Sequence, residues 1–158
     1  MTIQPVTPAD LPAVLHLNQN AIPRVNSLSP EKLARLAEMA ARFSAATLDA
    51  RLAGFVLALP HTANYDSPYF GWFGQHYHQF IYIDRIVVAD WARRRGIGLA
   101  LLADVAAVAF ERGLPLASDL YAENETSLAF HLKFGFELIG RQTLDSKTVL
   151  KLIKQPPQ

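Results

Sequence analysis

Residues Phe80–Val88, FIYIDRIVV, are apolar at both sets of alternating positions except for Asp84 and Arg85. A strand sends successive side chains to opposite faces, so such a run needs cover on both sides and belongs in the middle of a sheet. It leads through ADWARRRGIG into LALLADVAAVAF, an alanine-rich run of helical character that spans Gly98–Arg112 and stops at Gly113. A central strand, a glycine turn and a covering helix already commit the chain to helices layered on a sheet.

The remaining elements fall around that unit. Thr2–Val6 reads as a short strand, and Thr7-Pro8 opens a helix running to about Gln19. Ser29-Pro30-Glu31 repeats the opening signal, with Leu33, Leu36 and Met39 on one face. Phe43–Leu48 and Leu52–Leu59 form a predicted hairpin, followed by an aromatic-rich loop from His61 to His78. After the alanine-rich helix come a strand at Leu114–Tyr121, a helix capped by Asn124 and reaching Lys133, and strands at Phe136–Ile139 and Thr148–Ile153. The order β-α-α-β-β-β-α-β-α-β-β describes an α/β (α+β) chain of one domain, residues 1–158, without repeats or linkers.

Composition excludes several functions. The formal charge is +1, which argues against a nucleic-acid binder, and a hydrophobic share of 51% argues against disorder. No cysteine is present, so a thiolate metal site and a cysteine nucleophile are excluded. His76 and His78 lack further ligands, so no metal is expected. The N-terminus has no signal-peptide layout and no apolar run is long enough to span a bilayer, so a cytoplasmic protein without membrane contact is the expectation.

A strand that ends in a glycine-rich turn opening a helix aims several backbone N–H groups at one point, where the helix dipole adds positive potential. Gly96 and Gly98 keep side-chain atoms out of the approach, and Arg93, Arg94 and Arg95 set positive charge on the rim. Phosphate suits such a turn; a solvated basic turn that merely starts a helix is the plainer reading. No glycine-lysine-serine/threonine follows, so it is not a Walker loop.

Arg93-Arg94-Arg95-Gly96-Ile97-Gly98 resembles the Q/R-x-x-G-x-G/A signature of the GNAT superfamily of N-acetyltransferases. Asn124 to Phe136, NETSLAFHLKFGF, is similar to that family's N-x-x-A-x-x-(L/F)-Y-x-K-x-G-F segment at the same spacing. The resemblance spans essentially the whole chain and implies a mixed, mostly antiparallel central sheet flanked by helices. It also implies acetyl-CoA as co-substrate: backbone amides of Arg94 through Ala100, including Ile97 and Leu99, would hold the pyrophosphate. Ile86 and Val88 match positions beside the acetyl and pantetheine arm, and a backbone N–H of Val87 or Val88 would polarise the thioester carbonyl. Asn124 matches an asparagine that contacts the coenzyme, and is equally a plain helix cap.

Acetyl transfer to an amine needs a proton acceptor, a polarised carbonyl and a route for the departing thiolate. Asp84 is the leading candidate base: alternation places it on the face of Ile86 and Val88, with Arg85 on the opposite face and a poor partner for it, unless a bulge intervenes. Asp119 is the second candidate. His131 stands where the family pattern carries tyrosine, so it is either a substitute proton donor or a packing residue, with Tyr121 and Tyr82 as alternative phenols. Tyr65, Tyr69, Phe70, Trp72, Phe73 and Tyr77 form either an acceptor-shaping lid or a satellite core, and Asn20 and Asn26 are further acceptor-side candidates. The expected partner is a small-molecule amine; a non-catalytic acyl-CoA-binding module, a protein acetyltransferase and a homodimer remain open alternatives.

Overall fold

Proline after serine opens two helices of this chain, because proline presets the helical φ where its missing N–H costs nothing, while the serine oxygen takes an orphan amide. Ser29 accepts from the Lys32 amide at 3.1 Å, and Ser67 accepts from the Phe70 amide at 3.5 Å. The second case was not anticipated: the aromatic loop contains a helix. The computed structural model describes all residues from Met1 to Gln158. Its strands are β1 (Thr2–Pro5), β2 (Arg42–Leu48), β3 (Arg51–Pro60), β4 (Ile81–Val88), β5 (Leu116–Tyr121), β6 (Glu137–Leu144) and β7 (Lys147–Lys154). Its helices are α1 (Leu11–Asn20), α2 (Pro30–Met39), α3 (Pro68–His76), α4 (Ile97–Glu111) and α5 (Glu125–Phe134).

One sheet of order β1-β2-β3-β4-β5-β7-β6 carries the fold, antiparallel throughout except for β4 beside β5. The last two strands run longer than the sequence pattern indicated, joined through Asp145 and Ser146 with φ of 49° and 67°; Asp49 and Ala50, at 52° and 61°, make the same kind of turn between β2 and β3. Two consecutive left-handed residues match the twist of a tight hairpin.

Each sheet face carries its own apolar layer. On one, Ala53, Val56, Ala58, Ile81 and Ile83 pack against Ile97, Leu101, Leu102 and Val105 of α4. On the other, Phe55, Leu57, Leu59, Phe80 and Tyr82 meet Val14 of α1, Leu33 and Leu36 of α2, and Phe70 and Phe73 of α3. The strand read as buried on both faces is so buried, between these layers.

The sheet is split at its centre. β4 and β5 pair only at Ile81 with Leu116 and Tyr82 with Ala117. Beyond that point β4 stays with β3 as far as Val88, and β5 stays with β7 as far as Tyr121. The separation begins where β4 gains a residue: Ala58 opposes Ile83 and Leu57 opposes Arg85, leaving Asp84 unmatched. A bulge of this kind bends the strand and increases its twist.

β3 holds the bent β4 through a close approach at Gly54. A Cβ built there would lie 2.7 Å from the Val87 carbonyl oxygen, a backbone atom that cannot step aside. Gly54→Ala should destabilise the fold by roughly 1–3 kcal/mol through overpacking, read as a lowered urea midpoint; an unchanged midpoint would contradict this packing.

Candidate active site

The split opens a cleft through the sheet. Ile86, Val88, Ser118, Asn124, Ser127 and His131 line it toward α4 and α5, and Asn26, Tyr65, Tyr69, Arg85, Asp119 and Tyr121 line it toward α1 and α3. Residues 88 and 119, from strands that part company, thus meet one cavity from two sides.

The glycine turn abuts the first half. Gly96 is the N-cap of α4 with φ +77°, a left-handed conformation that favours glycine, and no protein atom lies within 4 Å of where its Cβ would be. It has no side chain to cap the helix, and the backbone amides of residues 94–99 donate to no group of the protein; the Ala100 amide, expected in the cradle, instead closes the first helical turn on the Gly96 carbonyl at 3.0 Å. The turn therefore presents open donors together with the positive end of the α4 dipole. Arg93 is tied to Asp90 at 3.1 Å, whereas Arg94 and Arg95 make no ion pair and stand exposed. Leu99 is exposed, and Gly98 sits against Phe130 of α5 and Val88. Asn124 caps α5 by accepting from the Ser127 amide at 3.1 Å and also lines the cleft.

Backbone direction separates Val87 from Val88. The Ala89 amide bonds the Ala53 carbonyl at 2.8 Å, and the Val87 carbonyl faces Gly54, so both turn their polar groups toward β3. Alternation then turns the amides of Val88 and Ile86 toward the cleft. Of the two valines offered for polarising a carbonyl, Val88 has the right direction and Val87 does not.

Asp84 is not on the face of Ile86 and Val88. The bulge breaks the alternation, so Asp84 and Arg85 emerge side by side toward α1 and α3, and Arg85 Nε donates to Asp84 Oδ2 at 2.8 Å. The expectation that Arg85 would be a poor partner is thereby corrected. Both side chains are 5% exposed, and Tyr65 donates to Asp84 Oδ1 at 2.7 Å. Burial, reinforced by the neighbouring Asp84 charge, pushes the Tyr65 phenol far up, so it stays a donor. Arg85 Nη1 continues to Asn18 Oδ1 and to the Asn26 carbonyl, each at 3.0 Å. The bulge thus anchors both the loop after α1 and the segment before α3.

Asp119 faces the same half from β5. Tyr82 donates to it at 3.1 Å and Lys151 Nζ lies 3.0 Å from Oδ2. Burial pushes the Asp119 carboxyl up, with the Lys151 ammonium opposing; burial pushes Lys151 down, with Asp119 opposing. Lys151 is sealed among the rings of Tyr69, Trp72 and Phe73, 5.1–5.4 Å from each centroid. Trp72, expected to shape the acceptor pocket, does not line the cleft; it stacks on His76 with centroids 3.9 Å apart and covers Gly140 of β6. Asn20 is likewise away from this cleft, beside His16.

His131 is buried and bonded at both nitrogens. Nδ1 lies 2.8 Å from the Ser127 carbonyl oxygen, which only accepts, so Nδ1 carries the proton; Nε2 then accepts from Ser118 Oγ at 3.0 Å. Burial pushes its pKa down, keeping the ring neutral. Ser118, Arg85 and Lys151 were missed as site residues. A serine or a lysine in an alternating strand carries no local mark of its partner two strands or a helix away.

A glycine turn opening a helix beside a mixed, mostly antiparallel sheet is what the sequence resemblance implied, and the chain belongs to the acetyltransferase (GNAT) family, whose model matches residues 12–136. Ard1 from Thermoplasma volcanium superposes with a TM-score of 0.80 at 17% identity, covering 99% of this chain and 98% of that one. Ribosomal-protein-alanine N-acetyltransferase from Brucella melitensis gives 0.75 at 24% identity, covering 98% and 99%. Arabidopsis thaliana NAA60 in complex with acetyl-CoA gives 0.77 at 18% identity, covering 98% of each chain. At these identities the likeness is one of fold. No curated protein sequence matches the chain.

Two stability predictions follow from the buried groups. Asp84→Asn leaves the Arg85 guanidinium buried without its counter-charge and should cost about 3–5 kcal/mol, against about 1–3 kcal/mol for Tyr65→Phe; urea denaturation gives both, and equal small losses would deny the anchoring role. His131 has a folded pKa below its unfolded value of about 6.5, so below that pH the unfolded chain binds a proton the folded one refuses. Its contribution is a loss of stability as pH falls through about 6.5. His131→Phe should flatten the wild-type slope between pH 7 and pH 5, measured by denaturation at each pH.

Proposed function

We propose that residues 1–158 act as one acetyl-CoA-dependent N-acetyltransferase domain that acetylates the amine of a small molecule by direct attack in a ternary complex. The observation that carries the reading is the cleft through the split sheet, lined by Val88 and by a partly accessible carboxylate, Asp119, with the open amides of the α4 turn beside it where Gly98 meets Val88. The residues fit the coenzyme: the uncapped turn with its left-handed glycine suits a pyrophosphate, and the cleft beyond Val88 suits a narrow arm. Acetyl-CoA supplies the acetyl group on a thioester that a free amine can attack.

The chain's own residues then have separable tasks. Amides of residues 94–99 bind the pyrophosphate, with Arg94 and Arg95 adding charge at the rim. The Val88 amide polarises the acetyl carbonyl. Asp119 takes the proton from the incoming ammonium; burial raises its pKa above that of a free carboxylate, which makes it a stronger proton acceptor. Asp84, 5% exposed against 14% for Asp119, holds the walls of the acceptor half through Tyr65 and Arg85. His131 holds Ser118 in place, and the thiolate leaves to be protonated by water. No group of three or more His, Asp or Glu side chains is arranged to hold a metal ion.

Support for a small acceptor comes from the walls: the loop after α1 and the segment before α3 are tied to the bulge and line the acceptor half. The similar Brucella melitensis structure is that of a ribosomal-protein-alanine N-acetyltransferase, so peptides beginning with alanine belong in the same assay as amines.

Gly96→Asp meets no neighbouring side chain but carries an aspartate at φ +77°, a strain of about 1–2 kcal/mol; the variant should fold at that reduced stability yet bind no acetyl-CoA by calorimetry, and unchanged binding would refute the cradle. Asp119→Asn should lower kcat by roughly 10²–10⁴-fold while leaving acetyl-CoA affinity intact, and the wild-type rate should rise with pH through the raised Asp119 pKa as the carboxylate forms. His131→Phe should cost less than about tenfold; a larger loss together with a lost alkaline limb would restore His131 as proton donor.

A further inference from the structure

Arg85 spends three of its five N–H donors within the protein, through Nε on Asp84 and Nη1 on Asn18 and Asn26. Nη2 makes no hydrogen bond to a carboxylate or carbonyl there, and the Tyr65 hydroxyl is the other polar group beside the guanidinium. Nη2 is also absent from the polar atoms sealed away from solvent, and Arg85 lines the cleft. Nη2 is therefore the part of this 5%-exposed side chain that reaches the cavity. A guanidinium clamped at its other nitrogens presents the free one in a fixed direction, and its preferred occupant is a carboxylate oxygen. The neighbouring carboxylate cannot serve, because Asp84 has Oδ1 on Tyr65 and Oδ2 on Nε. The Asn26 side-chain amide, in the same half of the cleft, makes no hydrogen bond within the protein either and adds neutral donors.

The acceptor half thus offers an acid and a base to one small molecule. Asp119 faces it from β5 and Arg85 from β4, and both line the same cavity. We propose that the acetyl acceptor is a free amino acid, its amine toward Asp119 and its carboxylate on Arg85 Nη2. This rests on the acetyltransferase reading above and narrows its substrate class. A polyamine would set a second ammonium beside Arg85, at a cost in like-charge repulsion. A peptide would place a neutral amide there, which accepts a weaker hydrogen bond from the guanidinium than a carboxylate does.

The test compares matched acceptors on the wild-type protein at saturating acetyl-CoA, by thiol release: a panel of free amino acids, the amide of each, and the amine left when the carboxyl group is removed. The free acid should exceed its amide and its amine in kcat/KM by roughly 10- to 100-fold, the range for one hydrogen bond to a charged group. Arg85→Lys, which keeps the charge beside Asp84 but loses the fork, should collapse that ratio mainly through KM for the acid. Turnover of amides, decarboxylated amines or alanine-starting peptides at rates matching the free acids overturns the amino-acid assignment alone and leaves acetyl transfer standing. Thiol release with none of the acceptors, while calorimetry shows acetyl-CoA bound, overturns both.

Discussion

A single unmatched residue in β4 sets the geometry on which the site depends. Two β4 residues, Asp84 and Arg85, occupy the span that one β3 residue would match, and β4 leaves β5 immediately before them. Paired strands lie about 4.8 Å apart, too close for a substrate to pass between. Without the bend the sheet would be continuous, and the α4 turn would face a wall of backbone. With it, donors on one face and carboxylates on the other share a cavity. The bulge also turns a charged pair inward together, where an unbroken strand would have sent the two to opposite faces.

Burying that pair is electrostatically expensive unless every partner is supplied. Asn18, Asn26 and Tyr65 supply them, each from a segment that forms a wall of the acceptor half. A hydrophobic substitute of equal volume would pack the layer as well, but it would leave the loop after α1 and the segment before α3 without directional ties to the sheet. Asp119 and Lys151 repeat the arrangement on β5 and β7, with an aromatic box around the ammonium. Internal charges near the cleft are thus neutralised in pairs. What stays open is the α4 turn and, in the acceptor half, parts of Asp119 and Arg85.

Local signals in the sequence carried over well to the fold. Gly96, Asn124, Ser29-Pro30 and Gly113 act through backbone conformation or one nearby amide, so their consequences are written within a few residues of themselves. The helix at Pro68–His76 carried the same serine-proline mark at Ser67 and was hidden because glycines and aromatics made the stretch read as a loop. Long-range consequences were less visible. Period-two reasoning assigned Asp84 the wrong face because a bulge depends on the partner strand, here β3, and leaves no mark of its own in FIYIDRIVV. Lys151 reads as an outward lysine on an edge-like strand until Asp119 and the three rings of α3 are placed around it.

His131 illustrates how a departure from a family pattern is absorbed. A phenol at this position would offer a donor; an imidazole offers a donor and an acceptor, and the surrounding groups accept both. The Ser127 carbonyl takes the Nδ1 proton and Ser118 fills Nε2, while Phe130 and Phe136 meet the ring edge-on. Protonating Nε2 would require Ser118 to turn its hydroxyl and the apolar surroundings to accept a charge, and burial weighs against it. A histidine settled in this way adds order to the β5 side of the cleft, next to Asp119, without holding a proton ready. On the proposed function the chemistry falls to groups that remain partly open to the cavity, and on β5 the carboxylate that meets this condition is Asp119.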